Sequence, residues 1–291
     1  MFSLVLATRN RAEILIQALT HLESLVYPRS NFEVLVINDG STDETRSLLE
    51  KLEVGYRLRV FHHEHNQGTS AARNLGIREA AGTHVLFIDD DVFPCPHLLE
   101  HHEEAHRGHL SRLVRGPVIN IPSLPLPPEP ATLLHHYSQN YLCTSNASLR
   151  RDLLLDAGLF DTSFPRWEDA ELAVRLKRLG VSRHFSFAGY VFHLKPPVSM
   201  ESRLQTARRD GESAALLYQR YPSFRMRLRS GLHPVNYFRN GLLTAAPLRR
   251  AYQKYLENQP DGRFAGLATT LLAEHEYLAS GRRTLEEGNK V

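Results

Sequence analysis

Two cysteines, Cys95 and Cys143, are the only thiols in 291 residues. That excludes a disulfide framework and a thiolate zinc cluster, and it fits a reducing compartment such as the cytoplasm. Nowhere does an apolar run approach the roughly 18 residues a bilayer-crossing helix requires. The apolar segment from Met1 to Ala7 is short and has no basic stretch before it, so it is expected to be a first strand and not a leader. Neither a P-loop nor a G-x-G-x-x-G follows any apolar run, which leaves nucleotide-triphosphate kinases and dinucleotide dehydrogenases unsupported; Gly68 and Gly76 flank a helix start without that spacing. Lysine and arginine are not interleaved with aromatics, so nucleic acid is not an expected partner.

What is present is a globular composition, 42% hydrophobic and 23% charged, long enough for one large domain and an appendage. In the first half, short apolar runs (Ser3–Ala7, Glu33–Ile37, His84–Ile88) alternate with helical patterns. Leu15, Ala18, Leu19, Leu22 and Val26 recur at helical spacing, and Ser41 and Glu44 stand as a capping box for a helix through Leu52. A further helix is expected from Ser70 to Ala81, stopped by Gly82 in the left-handed region. This alternation predicts an α/β fold with a mostly parallel sheet covered by flanking helices. Pro122–Pro130 (PSLPLPPEP) reads as an extended loop or flap. Tyr141–Leu149 reads as a strand, followed by helices from Arg151 and from Glu168 to Leu179 and by a closing strand pair near Arg183–Phe187 and Tyr190–Leu194. Beyond Met200 the pattern is helical, broken by Pro222, Pro234, Pro247 and Pro260. The predicted division is therefore residues 1–199 and a basic helical region, residues 200–291.

Charge follows the same division. Residues 1–199 carry 20 Lys/Arg against 23 Asp/Glu, and residues 200–291 carry 15 against 9. The basic third is expected to be either a solvated helical face or a meeting point with an anionic partner, a membrane surface or a phosphorylated acceptor.

In parallel sheets ligands collect at the carboxyl ends of strands. The residues there are Thr8-Arg9-Asn10, Asn38-Asp39-Gly40 and Asp89-Asp90-Asp91. Three adjacent carboxylates repel one another unless solvent or a cation intervenes, and a hard divalent ion, Mg²⁺ or Mn²⁺, suits their oxygens. Glu168-Asp169 opens a helix, where carboxylates suit the dipole but can equally act as a general base. Trp167 before them is either core or a stacking surface. His193, ending a strand, is either structural or a nitrogen ligand. His102-Glu103-Glu104-Ala105-His106 matches the zinc-protease pattern H-E-x-x-H, but His109 and Arg112 stand where its extended form needs Gly and His. The pairs His62-His63 and His135-His136 read as surface.

Taken in order, these segments resemble a family 2 glycosyltransferase of the GT-A fold. The resemblance rests on Ser3–Arg11, Val36–Asp43, Asn66–Gly76, Phe87–Asp91, Thr144–Ala147 and Trp167–Leu172, and covers roughly residues 1–195. Its ordered motifs are specific only in combination. It implies an inverting transfer of a sugar from a nucleotide diphosphate donor (UDP, GDP or dTDP) to a glycan or lipid-linked acceptor hydroxyl, in cell-surface polysaccharide or glycolipid synthesis. By resemblance, Thr8, Arg9 and Asp39 line the nucleoside pocket, and Arg73 contacts the nucleotide. Asp89, with Asp90 beside it, faces the ribose side of the donor. Asp91 would hold the Mn²⁺ or Mg²⁺ ion, His193 would be a second ligand, and Asp169 the catalytic base. Ala7 departs from the family, many members of which carry proline there. Residues 200–291 lack a family-wide signature; basic residues around Tyr237-Phe238 and Leu242-Leu243 are read as a peripheral contact with the inner face of the membrane or as a packing element. Two alternatives remain: a non-catalytic nucleotide-sugar or glycan-binding protein on the same fold, and a zinc hydrolase through His102 and His106.

Overall fold

The first two strands are buried on both faces. β1 (Phe2–Thr8) and β2 (Phe32–Asp39) are almost wholly inaccessible, as uninterrupted apolar runs must be when helices cover a parallel sheet. A computed structural model describes residues 1–128, 130, 132–133, 136–138, 140–260 and 262–288. Their contacts fall into two units, residues 1–162 with 168–196, and residues 163–167 with 197–291.

In the first unit, β1 and β2 join β3 (Arg57–His63), β4 (His84–Phe87), β6 (Arg112–Arg115), β8 (Ala147–Arg150) and β9 (Ser182–Phe185) in one sheet, ordered β3-β2-β1-β4-β8-β6-β9. β8 runs antiparallel to both of its neighbours, and the other pairs are parallel. A second sheet orders β5 (Val92–Pro94), β10 (Val191–Leu194) and β7 (Val118–Ile121). Helices α1 (Ala12–His21), α2 (Thr45–Lys51), α3 (Thr69–Glu79), α4 (Leu98–His106), α5 (Arg151–Asp156) and α6 (Glu168–Arg178) complete the unit. Val5, Leu35, Ile37, Phe87 and Leu172 anchor the apolar core on one side, and Leu4, Leu6, Leu15, Val34 and Leu86 on the other.

Several local expectations are corrected. The closing strand pair does not exist: β9 joins the large sheet beside β6, whereas β10 pairs with β5, bringing His193 opposite Val92. Ser41 caps no helix. Its hydroxyl accepts the Asn10 amide, and α2 starts at Thr45, whose amide and hydroxyl are held by Asp43. Gly82 does not adopt the left-handed region; it is needed for close approach, because a Cβ there would sit 2.7 Å from the Ser3 amide. Of the 141–149 run only Ala147, Ser148 and Leu149 are strand, in β8 (Ala147–Arg150). Leu124 and Leu126 of the proline-rich loop pack on Ile119, Ile121 and Phe192; Glu129 of that loop, like His135, lies outside the described residues.

The second unit holds α7 (Met200–Arg220), α8 (Phe224–Arg229), α9 (Pro234–Leu243), α10 (Ala246–Asn258) and α11 (Ala265–Gly288). Ser199 and Ser223 cap α7 and α8 by accepting amides three residues on. Its core joins Ala214, Ala215, Leu232 and Leu278, with Trp167 and Tyr277 packed against them. No helix among the described residues is long and apolar enough to cross a membrane.

Candidate active site

β1 and β4 run side by side and parallel, so their carboxyl ends deliver Thr8 and the Asp89–Asp91 turn to one place. The Thr8 hydroxyl donates to Asp90 Oδ2 at 2.7 Å. Arg11 then spans two of the three acids, with Nη1 2.8 Å from Asp90 Oδ1 and Nη2 2.7 Å from Asp91 Oδ2. Burial raises the Asp90 carboxyl to about 6, against the opposing pull of Arg11 and Thr8. Burial acts on Asp91 in the same direction, but His193 and Arg11 outweigh it and hold that carboxyl below its ordinary range.

Asp91 Oδ1 is the informative atom. Buried, it has no hydrogen-bond partner, although His193 Nε2 lies 3.0 Å away. At that separation the carboxylate oxygen and the imidazole nitrogen share a proton when the histidine carries one, and face a common cation when it does not. Asp89 completes the group: one ligand atom from each of Asp89, Asp91 and His193 lies within 4.8 Å of the others. Two carboxylates and one imidazole fit Mn²⁺ or Mg²⁺ chemistry and leave room for phosphate oxygens or water.

Asp89 also leads to the far carboxylates. Its Oδ2 accepts the Ser145 hydroxyl, and its Oδ1 lies 3.0 Å from Nη2 of the buried Arg73. The other Arg73 nitrogen, Nη1, is 2.7 Å from Glu168 Oε1 in the first turn of α6. One guanidinium thus ties the strand-end acids to the helix bearing Asp169. Asp169 Oδ1 accepts the Ala170 amide at 2.6 Å, and burial followed by the Glu168 charge pushes its carboxyl up to about 6, despite Arg73. A carboxylate with that pKa is a stronger base than an ordinary aspartate and is still ionised at neutral pH.

Other expected residues stand differently. Asp39 accepts from the chain's own groups: Oδ1 from the Gln67 amide and His63 Nδ1, Oδ2 from the Gly68 amide at 2.8 Å, the last made possible by Gly68 at φ 90°. It therefore also anchors the loop into α3, and His63 is no surface residue. Arg9, the first residue past β1, is exposed. His102 and His106 are buried and committed to a polar chain. His106 Nε2 lies 2.7 Å from Ser148 Oγ, which is also 2.7 Å from His102 Nδ1, and His102 Nε2 is 3.0 Å from Asn146 Oδ1. Both nitrogens of His102 are engaged, which argues against a zinc site there; burial lowers its pKa to about 4 and keeps the ring neutral. Trp167 packs with the second unit, against Tyr277.

Sequence reasoning missed Arg11 and Ser145 as working parts, although both lie within quoted motifs. The signal available was a pair of arginines, Arg9 and Arg11, just after β1 in a fold that gathers three acids at the end of the neighbouring strand β4. The glutamate of Glu168-Asp169 was also underrated, since it is the partner of Arg73.

Comparison with known proteins bears on the family and the fold. The family model for glycosyl transferase family 2 matches residues 3–152. Glycosyltransferase AglE of Haloferax volcanii is 28% identical over 198 residues, covering 63% of this chain and 64% of AglE. The chain spans less than two thirds of the curated relatives it first matches, and only 15% of an uncharacterized glycosyltransferase of Rickettsia felis, which is 40% identical over 92 residues or 31% of this chain. The mannosyltransferase PcManGT of Pyrobaculum calidifontis, solved with GDP-Man and Mn²⁺, superposes with a TM-score of 0.70 at 17% identity over 98% of this chain and 86% of that one. S. aureus TarS 1–349 gives 0.60 at 21% over 99% and 91%. These two likenesses establish the GT-A fold, and the family match covers more than half of the chain: it belongs to glycosyl transferase family 2.

Proposed function

We propose that the chain transfers a sugar from a nucleoside-diphosphate donor to an acceptor hydroxyl with inversion at the anomeric carbon, and that residues 1–199 carry this chemistry. The observation that supports it most is the Arg73 bridge, which ties Asp89, in the strand-end turn that also bears Asp91, to Glu168 beside Asp169 at the start of α6. In the proposed step Asp169 takes the acceptor hydroxyl proton as that oxygen bonds to the anomeric carbon. The bond from that carbon to the diphosphate oxygen breaks, and its electron pair leaves with the nucleoside diphosphate. Because base and leaving group stand on opposite sides of the sugar, a single displacement suffices and no covalent enzyme intermediate is needed. Asp89, Asp91 and His193 would hold a divalent cation, which supplies positive charge for the departing diphosphate. Arg11 keeps Asp90 and Asp91 oriented, and Arg73 keeps Glu168 from repelling the ionised Asp169 unopposed.

Thr8, Arg9 and Asp39 are assigned to the nucleoside end. UDP, GDP and dTDP all remain candidate carriers; TarS has been solved with UDP-GlcNAc and PcManGT with GDP-Man. The acceptor is assigned as a glycan or lipid-linked saccharide of cell-surface polymer or glycolipid synthesis, met on the cytoplasmic side, with residues 200–291 as the part that brings it. Thermal unfolding with a panel of nucleotide sugars, with and without Mn²⁺, tests the donor assignment. A nucleoside diphosphate that raises Tm only together with the cation is the expected result; no response to any donor defeats it.

A further inference from the structure

In α9 the usual placement of side chains is inverted except at Tyr237, which packs on the core. Asn240 and Thr244 face inward, 3% and 2% exposed. The Thr244 hydroxyl lies 2.7 Å from Asn240 O and 3.0 Å from His275 Nδ1, and Asn236 donates to Gly231 O. Val235, Phe238 and Leu242, at the i, i+3, i+7 spacing of a single helix face, point outward with 63%, 71% and 61% of their surface exposed. α8 repeats the pattern, with Phe224 and Leu228 exposed one turn apart, and the Phe224 ring stands 6.1 Å from that of His233 at the start of α9. A helix that solvates its large apolar side chains while supplying polar partners to the interior is built for a second apolar phase.

Charge identifies that phase. From Pro222 to Leu256 the chain has seven Lys/Arg and no Asp/Glu. Arg225 and Arg229 are exposed on α8 beside Phe224 and Leu228. Two copies apposed through this face would bring arginine against arginine, whereas an anionic lipid surface complements it. We propose that the outward faces of α8 and α9 form an interfacial membrane-binding surface, with Phe224, Leu228, Val235, Phe238 and Leu242 entering the acyl boundary and the arginines meeting phosphate headgroups. It rests on exposure and charge alone; joined to the transfer reading, it narrows the acceptor to a lipid-linked saccharide.

Flotation of the full chain with vesicles tests it without donor or acceptor, so a failure here leaves the transfer reading standing, and the reverse also holds. Vesicles of phosphatidylcholine with phosphatidylglycerol are expected to carry the protein up the gradient, less so at high salt, and phosphatidylcholine alone to carry far less. Burying one Phe or Leu side chain is worth roughly tenfold to a hundredfold in partition, so Phe238→Ser with Leu242→Ser is expected to weaken binding by at least about tenfold. Unchanged Tm would confirm that this variant is folded. Arg225→Glu with Arg229→Glu is expected to remove the preference for phosphatidylglycerol. The proposal fails if wild-type protein does not float with the anionic vesicles at low salt, or if the Phe238→Ser, Leu242→Ser protein floats as well as wild type. It also fails if sedimentation shows a dimer that this variant turns into a monomer while neither protein floats.

Discussion

The two units use buried polar groups in opposite ways. In the first, ionised side chains are brought inside and held against one another at the ends of strands, where Arg73 and Arg11 between them touch Asp89, Asp90, Asp91 and Glu168. In the second, the inward polar groups of α9 are neutral and serve packing, while the large apolar groups go outside. The first arrangement stores charge at one point, as a reaction that moves a diphosphate requires. The second leaves an unpaired surface. The proposed chemistry and the proposed docking thus fall to separate units, and substitutions should separate them experimentally.

The largest effect is expected from Asp169→Asn, which keeps the side chain's size and removes its basicity. General-base contributions suggest that kcat falls by roughly 10³-fold while donor binding persists. Steady-state transfer assays beside donor titration check this, and transfer at the wild-type rate would remove Asp169 from the mechanism. Arg73→Met comes next. It leaves Asp89 and Glu168 facing each other without their shared cation. The loss should be about 2–3 kcal/mol of stability, below the range for fully buried pairs because both carboxylates keep some solvent. Chemical denaturation measures it. Asp91→Ala should leave the fold nearly intact but abolish the joint stabilisation by Mn²⁺ and nucleoside diphosphate, worth about 2.7 kcal/mol at ligand near 100 times its Kd in the wild type.

pH sharpens the same contrast at lower cost to the protein. Asp169 has a folded pKa of about 6 against an ordinary 3.8. A group raised in this way favours the fold when protonated, so that contribution is present at low pH and is lost as pH rises through 4 to 6. The base is competent above that window. Transfer should therefore decline about tenfold per unit below pH 6. Asp90 is also raised to about 6, so the profile should be repeated with Asp90→Asn. An acid limb that survives this substitution belongs to Asp169.

How far these features could be read beforehand depends on the range of the interactions that make them. β1, β2 and β4 were legible because a strand buried on both faces is continuously apolar, and the acids were legible because they follow such runs. α6 was readable from its 3.6-residue period. What escaped was set by distant partners. β3 and β6 mix arginine or histidine with apolar residues (Arg57–His63 reads RLRVFHH), so no apolar run marks them. Ser41 has the spacing of a cap, but the Asn10 amide 31 residues away claims it. Gly82 looks like a helix stop, yet the approach of β1 is its constraint. In the site, Asp91, Asp169 and His193 could be nominated one by one, whereas Arg73 as the link between Asp89 and Glu168 depends on side chains 16 and 95 positions away. The helical pattern after Met200 was also legible, but not its inversion, since periodicity marks an apolar stripe without saying which side faces the core.

The smallest predicted effect tests that last point. In α9, Phe238→Ser should change stability by less than about 0.5 kcal/mol, the usual range for an exposed position away from special features. Leu232→Ala, a few residues earlier and 1% exposed in the core of the same unit, should cost about 2–4 kcal/mol through the cavity it opens. Both are read from urea denaturation followed by circular dichroism. If Phe238→Ser proves as damaging as Leu232→Ala, the aromatic ring is covered in solution. α9 then has an ordinary amphipathic role, and the contrast between a charge-holding first unit and a surface-presenting second one is lost. If instead the two differ as expected, Phe238 contributes almost nothing to folding, and a solvated phenylalanine in a stretch with seven Lys/Arg and no Asp/Glu calls for an external partner.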